Sequence, residues 1–128
     1  MSTIRNIMST NVVSIDREKL VCELEGLFIS QKISAAPLVD KSGKAIGFVT
    51  KSDINRFHFT HGDPYYTRAW EIASPIVVTI DVSASIKEAA NLMIEKYLHH
   101  LLVVNGDNMA GILSSFDFIK LVAGKQGT

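Results

Sequence analysis

The chain has 128 residues, and its 13 Lys and Arg balance its 13 Asp and Glu, so the zero formal net charge argues against binding to a polymeric nucleic acid, which needs a basic surplus. Its 47 % apolar content excludes a disordered chain, and its length suits one compact domain or two small halves. The single cysteine excludes a disulfide framework and favours the cytoplasm, while no apolar run reaches the length of a signal peptide or a membrane span.

In chain order, the sequence predicts strand, helix, strand, strand and helix, and then the same order again. The predicted strands are Val12–Ile15, Pro37–Asp40, Ala45–Thr50, Ile76–Ile80, Leu102–Asn105 and Met109–Ser114. Glycine-containing turns at Lys41–Lys44 and Gly106–Asn108 predict a hairpin in each half. Asp16 and either Ser83 or Ser85 are the predicted caps of the first helix of each half. The helix of the second half carries an apolar stripe of Ile86, Ala89, Ala90, Met93, Ile94 and Tyr97.

The two halves are an internal repeat. Residues 7–16 align with residues 72–81 at an offset of 65, with Ile, Ser, Val, Val, Ile and Asp recurring. One residue is missing from the second turn, so residues 47–53 align with residues 111–117 at an offset of 64. Self-similarity of this length indicates two related structural units. Because a core of roughly 55–60 residues is marginal on its own, we expect the halves to bury their apolar faces against each other.

Three motifs carry a resemblance to a known family. They are Asn6-Ile7-Met8-Ser9 before the first strand, Ala36-Pro37-Leu38-Val39-Asp40 in the middle of the first half, and Gly47 to Asp53 at its end. The last motif, Gly-x-x-Thr/Ser-x-x-Asp, recurs at the end of the second half. Together with the duplicated order of elements, these motifs resemble the cystathionine-β-synthase-type (CBS) domain pair, or Bateman module.

The resemblance implies an α/β (α+β) fold with two motifs related by a pseudo-twofold axis. One module would span residues 1–128, with motifs at 4–59 and 69–123 and a connector at 60–68. It also implies a regulatory protein rather than an enzyme, with no required cofactor, which binds AMP, ADP, ATP or S-adenosylmethionine in clefts between the motifs. Two such pairs would form a homodimer, a four-motif disc, and act on a separate effector protein.

Two carboxylates, Asp53 and Asp117, are the candidate ribose ligands, because a carboxylate can accept hydrogen bonds from two vicinal hydroxyls. Three residues earlier, Thr50 and Ser114 carry hydroxyls that can donate to a phosphate at a helix N-terminus. The same spacing also fits a capping box, which is the structural alternative for both pairs.

An apolar slot in each half is the predicted adenine site, formed by the first strand and the segment before the second strand. The candidates are Val12, Val13, Ile33, Ser34, Ala35, Ala36 and Pro37 in the first half, and Val77, Val78, Leu98, His99, His100 and Leu101 in the second. For each apolar residue the alternative is a place in the core, and for the valines it is the favoured one.

The two candidate sites differ in charge. His99 or His100 is predicted to contribute to phosphate binding in one cleft, the alternative being that one imidazole faces solvent and the other packs. Lys51 is the cation nearest to the first site and has no basic counterpart in the second, so unequal affinities are expected. Arg56 and Lys120, one turn further along, are expected to face solvent.

Two rival functions have little support. His58, His61 and Asp63 bring three potential metal ligands together in the connector, but zinc sites usually use four ligands or three plus water. Cys22 lies among apolar helical residues, where a thiol is usually inert. No catalytic triad, paired-carboxylate motif or zinc-hydrolase motif is present, so neither a metal site nor catalysis is expected.

A ligand-free dimerisation and interaction module stays open as the main alternative. Its support is apolar helical stripes that a partner chain would cover. A ligand-sensing pair and a dimerisation pair share one fold, so the fold alone does not decide between them. Five aromatic side chains cluster around the connector: Phe57, Phe59, Tyr65, Tyr66 and Trp70. Sealing the seam between the halves is their favoured role, and the alternatives are stacking on a base and contact with another subunit.

Overall fold

The computed structural model describes residues 3–125. The chain divides into two compact units, each with a three-stranded sheet and helices. The central unit is Val13–Val77, and the terminal unit joins the residues up to Val12 with those from Val78 onward. Within the described residues, no helix is both long enough and apolar enough to cross a membrane.

The central unit forms one mixed sheet with its helices. Its elements are β1 (Ile15–Asp16), α1 (Val21–Gln31), β2 (Ala35–Val39), β3 (Ala45–Thr50), α2 (Lys51–Phe59) and α3 (Ala69–Ile72). β2 lies in the middle of the sheet, parallel to β1 and antiparallel to β3. The core of the central unit consists of Ile15, Leu24, Phe28, Ala36, Leu38, Val49, Ile54 and Ala69.

The terminal unit repeats this arrangement. A short 3-10 helix (Ile4–Asn6) comes first, followed by β4 (Thr79–Asp81), α4 (Ile86–Lys96), β5 (His100–Asn105), β6 (Asn108–Ser114) and α5 (Ser115–Val122). β5 lies parallel to β4 and antiparallel to β6. The core of the terminal unit consists of Ile4, Ile7, Val82, Ala84, Ala89, Met93, Leu101, Val103 and Leu113. The predicted α/β fold class is therefore confirmed.

A segment of the opposite repeat pairs with the third strand of each sheet. Ser9 and Ile112 exchange backbone hydrogen bonds of 3.0 and 2.9 Å. Ser74 and Phe48 do the same, with both bonds at 2.9 Å. The residues just before the first strand of each repeat thus belong to the unit built on the other repeat.

The hairpin turns are confirmed, but the first strands are shorter than predicted. Gly43 and Gly106 have φ angles of 86° and 63° in the turns after β2 and β5, a conformation that glycine adopts without strain. The strand predicted at Val12–Ile15 is wrong except for its last residue, because β1 covers only Ile15–Asp16. β4 likewise begins only at Thr79, so residues 76–78 of the strand predicted at 76–80 lie before it.

Ser85 is confirmed as the cap of α4. Its Oγ accepts a hydrogen bond of 3.0 Å from the backbone N–H of Glu88. Ser83, the other candidate, donates its hydroxyl to Asp81 instead. This hydrogen bond is the main cause that holds the pKa of the Asp81 carboxyl below its usual value.

The prediction that Asp16 caps α1 is wrong. The helix begins after Leu20, whose N–H donates a hydrogen bond of 3.0 Å to the Glu23 carboxylate rather than to Asp16. Asp16 Oδ1 accepts a hydrogen bond of 2.8 Å from the N–H of Glu18, so it closes a local turn at the end of β1.

The predicted sealing role of the connector aromatics is wrong for three of them. Phe57 is buried in the central unit, and Trp70 is about half exposed. Phe59, Tyr65 and Tyr66 are exposed to solvent. Local aromatic composition therefore did not predict which rings pack.

Candidate functional site

Asp53 lies in the first turn of α2 and is held by the end of β3. Its Oδ2 accepts hydrogen bonds from Thr50 N at 2.8 Å and from Thr50 Oγ1 at 3.1 Å. Thr50 Oγ1 in turn accepts from Asp53 N at 3.3 Å. This is a capping box, so the structural alternative for the Thr-x-x-Asp motif is realised. The other carboxylate oxygen, Oδ1, lies 3.2 Å from Arg56 Nη1.

Asp117 repeats this geometry in the first turn of α5. Its Oδ2 accepts from Ser114 N at 2.8 Å and from Ser114 Oγ at 3.2 Å. Its Oδ1 lies 3.5 Å from Lys120 Nζ. Asp117 is only 6 % exposed and is the buried charged residue of the described chain. Both sites thus use one carboxylate oxygen for the helix cap and turn the other toward a cation.

Arg56 and Lys120 are the residues whose role the sequence reasoning missed. The expectation that they face solvent is wrong for Lys120, whose side chain is 32 % exposed, and correct for Arg56 at 70 %. Both nevertheless pair with their aspartate. The signal was available, because residues three apart on a helix are neighbours and can pair when their charges are opposite. A ribose that uses Oδ1 has to compete with or share this cation.

The start of β2 lies beside the first site. Ala35 is opposite Thr50 in the ladder, and Lys51 N donates to Ser34 O at 2.8 Å. Ile33 packs against the core of the central unit, and the Lys51 side chain is exposed. Ala35, Ala36 and Pro37 are buried. The predicted small, uncharged segment is therefore adjacent to the Asp53 cap, with its apolar side chains largely in the core.

The start of β5 lies beside the second site in the same way. His100 is opposite Ser114, and Ser115 N donates to His99 O at 2.9 Å. His99 is exposed, with Nδ1 3.5 Å from Ser115 Oγ, whereas His100 is half-buried. Leu101 is a core residue of the terminal unit, which was the alternative to its predicted place in the adenine slot.

The four candidate valines divide between the units. Val13 packs against the core of the central unit and so belongs with Asp53. Val78 packs against the core of the terminal unit, and its carbonyl accepts from Leu102 N at 3.1 Å. Val12 belongs to the terminal unit, although Asp53 of the same repeat is in the central unit. Val77 belongs to the central unit, although Asp117 of the same repeat is in the terminal unit.

A groove of about 350 Å³ opens beside Asp53 in the central unit. Its lining consists of Asp53, Arg56, Phe57, Thr60, Thr67, Glu71 and Ile72. Because both signs of charge, two hydroxyls and two apolar side chains meet there, the groove offers hydrogen-bond donors and acceptors next to the candidate ribose carboxylate.

The metal alternative is not supported. Among residues 3–125, no group of three or more His, Cys, Asp and Glu side chains is arranged to hold a metal ion. His58 Nε2 instead lies 3.0 Å from Glu25 Oε1 and links α2 to α1.

The structure thus defines a class of protein: a tandem repeat with a hydroxyl and a carboxylate at one strand–helix junction per repeat. The model of the CBS domain matches residues 4–58 and 69–124, so the chain belongs to the CBS domain family and the predicted resemblance is confirmed.

Known proteins agree with this assignment. Protein MJ1404 of Methanocaldococcus jannaschii is 28 % identical and aligns with 94 % of this chain, which spans 32 % of that relative. The CBS domain pair of protein MJ0100, in complex with 5′-methylthioadenosine and S-adenosyl-L-methionine, superimposes with a TM-score of 0.86 at 23 % identity, covering 98 % of this chain and 99 % of the other. A hexameric CBS-CP12 protein from bloom-forming cyanobacteria gives a TM-score of 0.86 at 23 % identity over 93 % and 70 % of the two chains. At these identities the structural likeness shows the fold.

Proposed function

We propose that the chain is a regulatory module that binds an adenosine-containing ligand at its two strand–helix junctions. The observation that carries the proposal is the duplicated arrangement of Thr50 with Asp53 and of Ser114 with Asp117. In each, the cap uses Oδ2, and Oδ1 is the acceptor that the ribose hydroxyls would take. The adenosine ligands in the related MJ0100 pair support this class of ligand.

The cations beside the aspartates have a part in the proposed binding step. Ribose hydroxyls donate to Oδ1 of Asp53 or Asp117, and the flexible side chain of Arg56 or Lys120 turns toward the anionic part of the ligand. The first N–H groups of α2 and α5 add a partial positive charge at the same place. Each ion pair of the free protein is thus replaced by contacts with the ligand.

The two sites are proposed to differ in affinity. The cation beside Asp117 is a lysine, whereas the cation beside Asp53 is an arginine, which can bind an anion with two parallel hydrogen bonds. Lys51 adds a cation at the first site, and His99 adds an imidazole near the second. AMP, ADP, ATP and S-adenosylmethionine all carry the ribose that this scheme requires.

The output of the module is proposed to be regulatory rather than catalytic. Ligand binding would shift the population of conformations and be read by a separate effector protein. The active species would be a homodimer that forms a four-motif disc and requires no cofactor. The cytoplasmic location indicated by the single cysteine stays a prediction. The alternative, a ligand-free dimerisation module, is favoured by one observation: the caps already use both aspartates.

Thermal unfolding with a panel of ligands tests the proposal. We expect at least one of AMP, ADP, ATP and S-adenosylmethionine to raise the melting temperature, because a ligand at 100 times its dissociation constant adds about 2.7 kcal/mol to the free energy of unfolding. Inosine monophosphate is the control for the base, and ribose 5-phosphate is the control for the sugar phosphate. If no adenosine compound shifts the melting temperature, the dimerisation alternative stands instead.

A further inference from the structure

A second groove of the central unit lies away from the candidate ribose carboxylate. Its volume is about 350 Å³, and its lining includes Arg17, Leu38, Gly47, Trp70, Ala73 and Pro75. Leu38 and Gly47 are partners in the β2–β3 ladder, three positions from the pair of Ala35 with Thr50. Because a strand advances about 3.3 Å per residue, roughly 10 Å of sheet separate this groove from the Asp53 cap. We name it the Arg17–Trp70 groove.

In the terminal unit, a methionine side chain takes the space that corresponds to this groove. Met8 Sδ lies 2.7 Å from the position that a Cβ atom of Gly111 would take, and Met8 Cγ lies 3.1 Å from it. Gly47 is the counterpart of Gly111 in the repeat, and Ala73 is the counterpart of Met8. None of the three atoms nearest to the Cβ position at Gly47 belongs to Ala73. The same exchanged segment therefore fills this space in one unit and leaves it open in the other.

Arg17 and Trp70 add a charge and an aromatic ring to the groove. The guanidinium carbon of Arg17 lies 5.5 Å from the centre of the Trp70 ring, and the backbone N–H of Trp70 donates to Arg17 O at 3.1 Å. Arg17 Nε lies 3.5 Å from Glu18 Oε1, but a guanidinium has five N–H donors, so others remain for a ligand. The counterparts of Arg17 and Trp70 in the second repeat are Val82 and Arg5, so the fold does not require this pair.

The lining of the groove restricts the chemistry of its ligand. Leu38, Ile46, Ala73 and Pro75 are apolar, and among the described residues that line the groove Arg17 alone carries a charge. An apolar group fits the space that a methionine side chain takes in the other unit, and a carboxylate can accept two parallel hydrogen bonds from a guanidinium. The volume lies near the lower end of the range for small-molecule sites, about 300–1,000 Å³, which favours a small metabolite.

We propose that the Arg17–Trp70 groove binds a small apolar carboxylate. The hydrocarbon or aromatic part of the ligand enters beside Ala73 and packs against the Trp70 ring, which is half exposed in the free protein. Its carboxylate pairs with the Arg17 guanidinium, which is also half exposed. The proposal goes beyond the adenosine ligand proposed above and does not depend on it, because this site uses neither Asp53 nor Asp117.

Fluorescence titration with 3-phenylpropionate tests the site, because Trp70 is the one tryptophan of the 128 residues. We expect a saturable change of the Trp70 emission in the wild-type protein. Two matched probes each lack one part of the proposed ligand: 3-phenylpropionamide has no charge, and acetate has no ring. Both should bind at least about 10-fold more weakly, because a hydrogen-bonded charge or a buried apolar group is lost.

Two variants change the groove in different ways. Arg17→Gln removes the charge, and Ala73→Met introduces the side chain that the terminal unit has at the corresponding position. Each is expected to weaken the binding of 3-phenylpropionate at least about 10-fold, whereas Lys87→Gln, which removes an exposed cation of α4, should leave it unchanged. Equilibrium dialysis measures the same binding without relying on the Trp70 emission, and circular dichroism checks that the variants keep their fold.

A wild-type protein without saturable binding of 3-phenylpropionate would overturn the proposal. So would undiminished binding in either Arg17→Gln or Ala73→Met, or an amide that binds as well as the carboxylate. Because the aspartates are untouched, these variants are expected to keep their binding of the adenosine ligand. Failure of the carboxylate proposal is therefore distinguishable from failure of the adenosine proposal.

Discussion

Gly111 and Gly47 lie where another segment of the chain passes close to the third strand of each sheet. A Cβ atom at Gly111 would lie 2.6 Å from the carbonyl oxygen of Ser9 and 2.7 Å from Met8 Sδ. A Cβ atom at Gly47 would lie 2.9 Å from the carbonyl oxygen of Ser74. The first residue of the Gly-x-x-Thr/Ser-x-x-Asp motif is therefore explained by backbone contact rather than by ligand chemistry.

We expect Gly111→Ala to lower the free energy of unfolding by about 1–3 kcal/mol, because backbone has to move to admit the methyl group. Gly47→Ala should act in the same direction, and less strongly, because its contact is longer. Gly26 is the matched control: it lies inside α1 with nothing within 4 Å of its Cβ position, so Gly26→Ala should stabilise the protein by about 0.5–1 kcal/mol. Urea unfolding of the three variants measures this, and a Gly111→Ala protein as stable as wild type would contradict the packing argument.

At the scale of single residues, the capping geometry of the two candidate carboxylates was predictable, and their pairing with a cation was not recognised. Asp53 and Asp117 follow from a motif that recurs at the end of each half. Arg56 and Lys120 needed one further step, the i, i+3 neighbourhood on a helix, which places a basic side chain next to each carboxylate. Whether such a side chain turns to solvent or to its neighbour depends on packing that a linear motif does not contain.

At the scale of elements, the hairpins were predictable and the helix starts only in part. Glycine turns after β2 and β5 determine the hairpins locally. The start of α4 is also local, because Ser85 reaches the N–H three residues later. The start of α1 is not: the N–H of Val21 donates to Thr67 O at 2.9 Å, a contact far along the chain. Long-range contacts of this kind are invisible to local cap rules, which is why Asp16 was a wrong prediction.

Ser85→Ala is expected to lower the free energy of unfolding by about 1 kcal/mol, because the first turn of α4 loses its side-chain cap. Ser30 is the control: it is exposed near the end of α1, where its hydroxyl only donates to Leu27 O, so Ser30→Ala should change stability by less than about 0.5 kcal/mol. Thermal unfolding of both variants compares the two serines. Equal effects would mean that the Ser85 cap contributes nothing specific.

At the scale of the whole molecule, the sequence repeat and the structural units do not coincide. The division between units falls between Val12 and Val13 and again between Val77 and Val78, which are equivalent points of the two repeats. Each repeat therefore gives the segment before its first strand to the other unit, as the pairing of Ser9 with the terminal sheet demonstrates. A repeat search detects similarity within each half but not this exchange, because the exchanged contacts join residues far apart in the chain.

If Asp53 and Asp117 hold the ribose of an adenosine ligand, calorimetric titration of their Asn variants will show the loss of one binding site for each aspartate replaced. In Asp53→Asn and Asp117→Asn, the amide oxygen can still accept the cap hydrogen bond, while the position of Oδ1 receives an NH₂ donor that cannot accept from a ribose hydroxyl. Asp107→Asn, in the exposed turn between β5 and β6, is the control. With the ligand selected by thermal unfolding, we predict that the wild type and Asp107→Asn bind at two sites, each site variant at one, and the double variant at none. Unchanged stoichiometry and affinity in the double variant would show that the two aspartates do not bind the ribose.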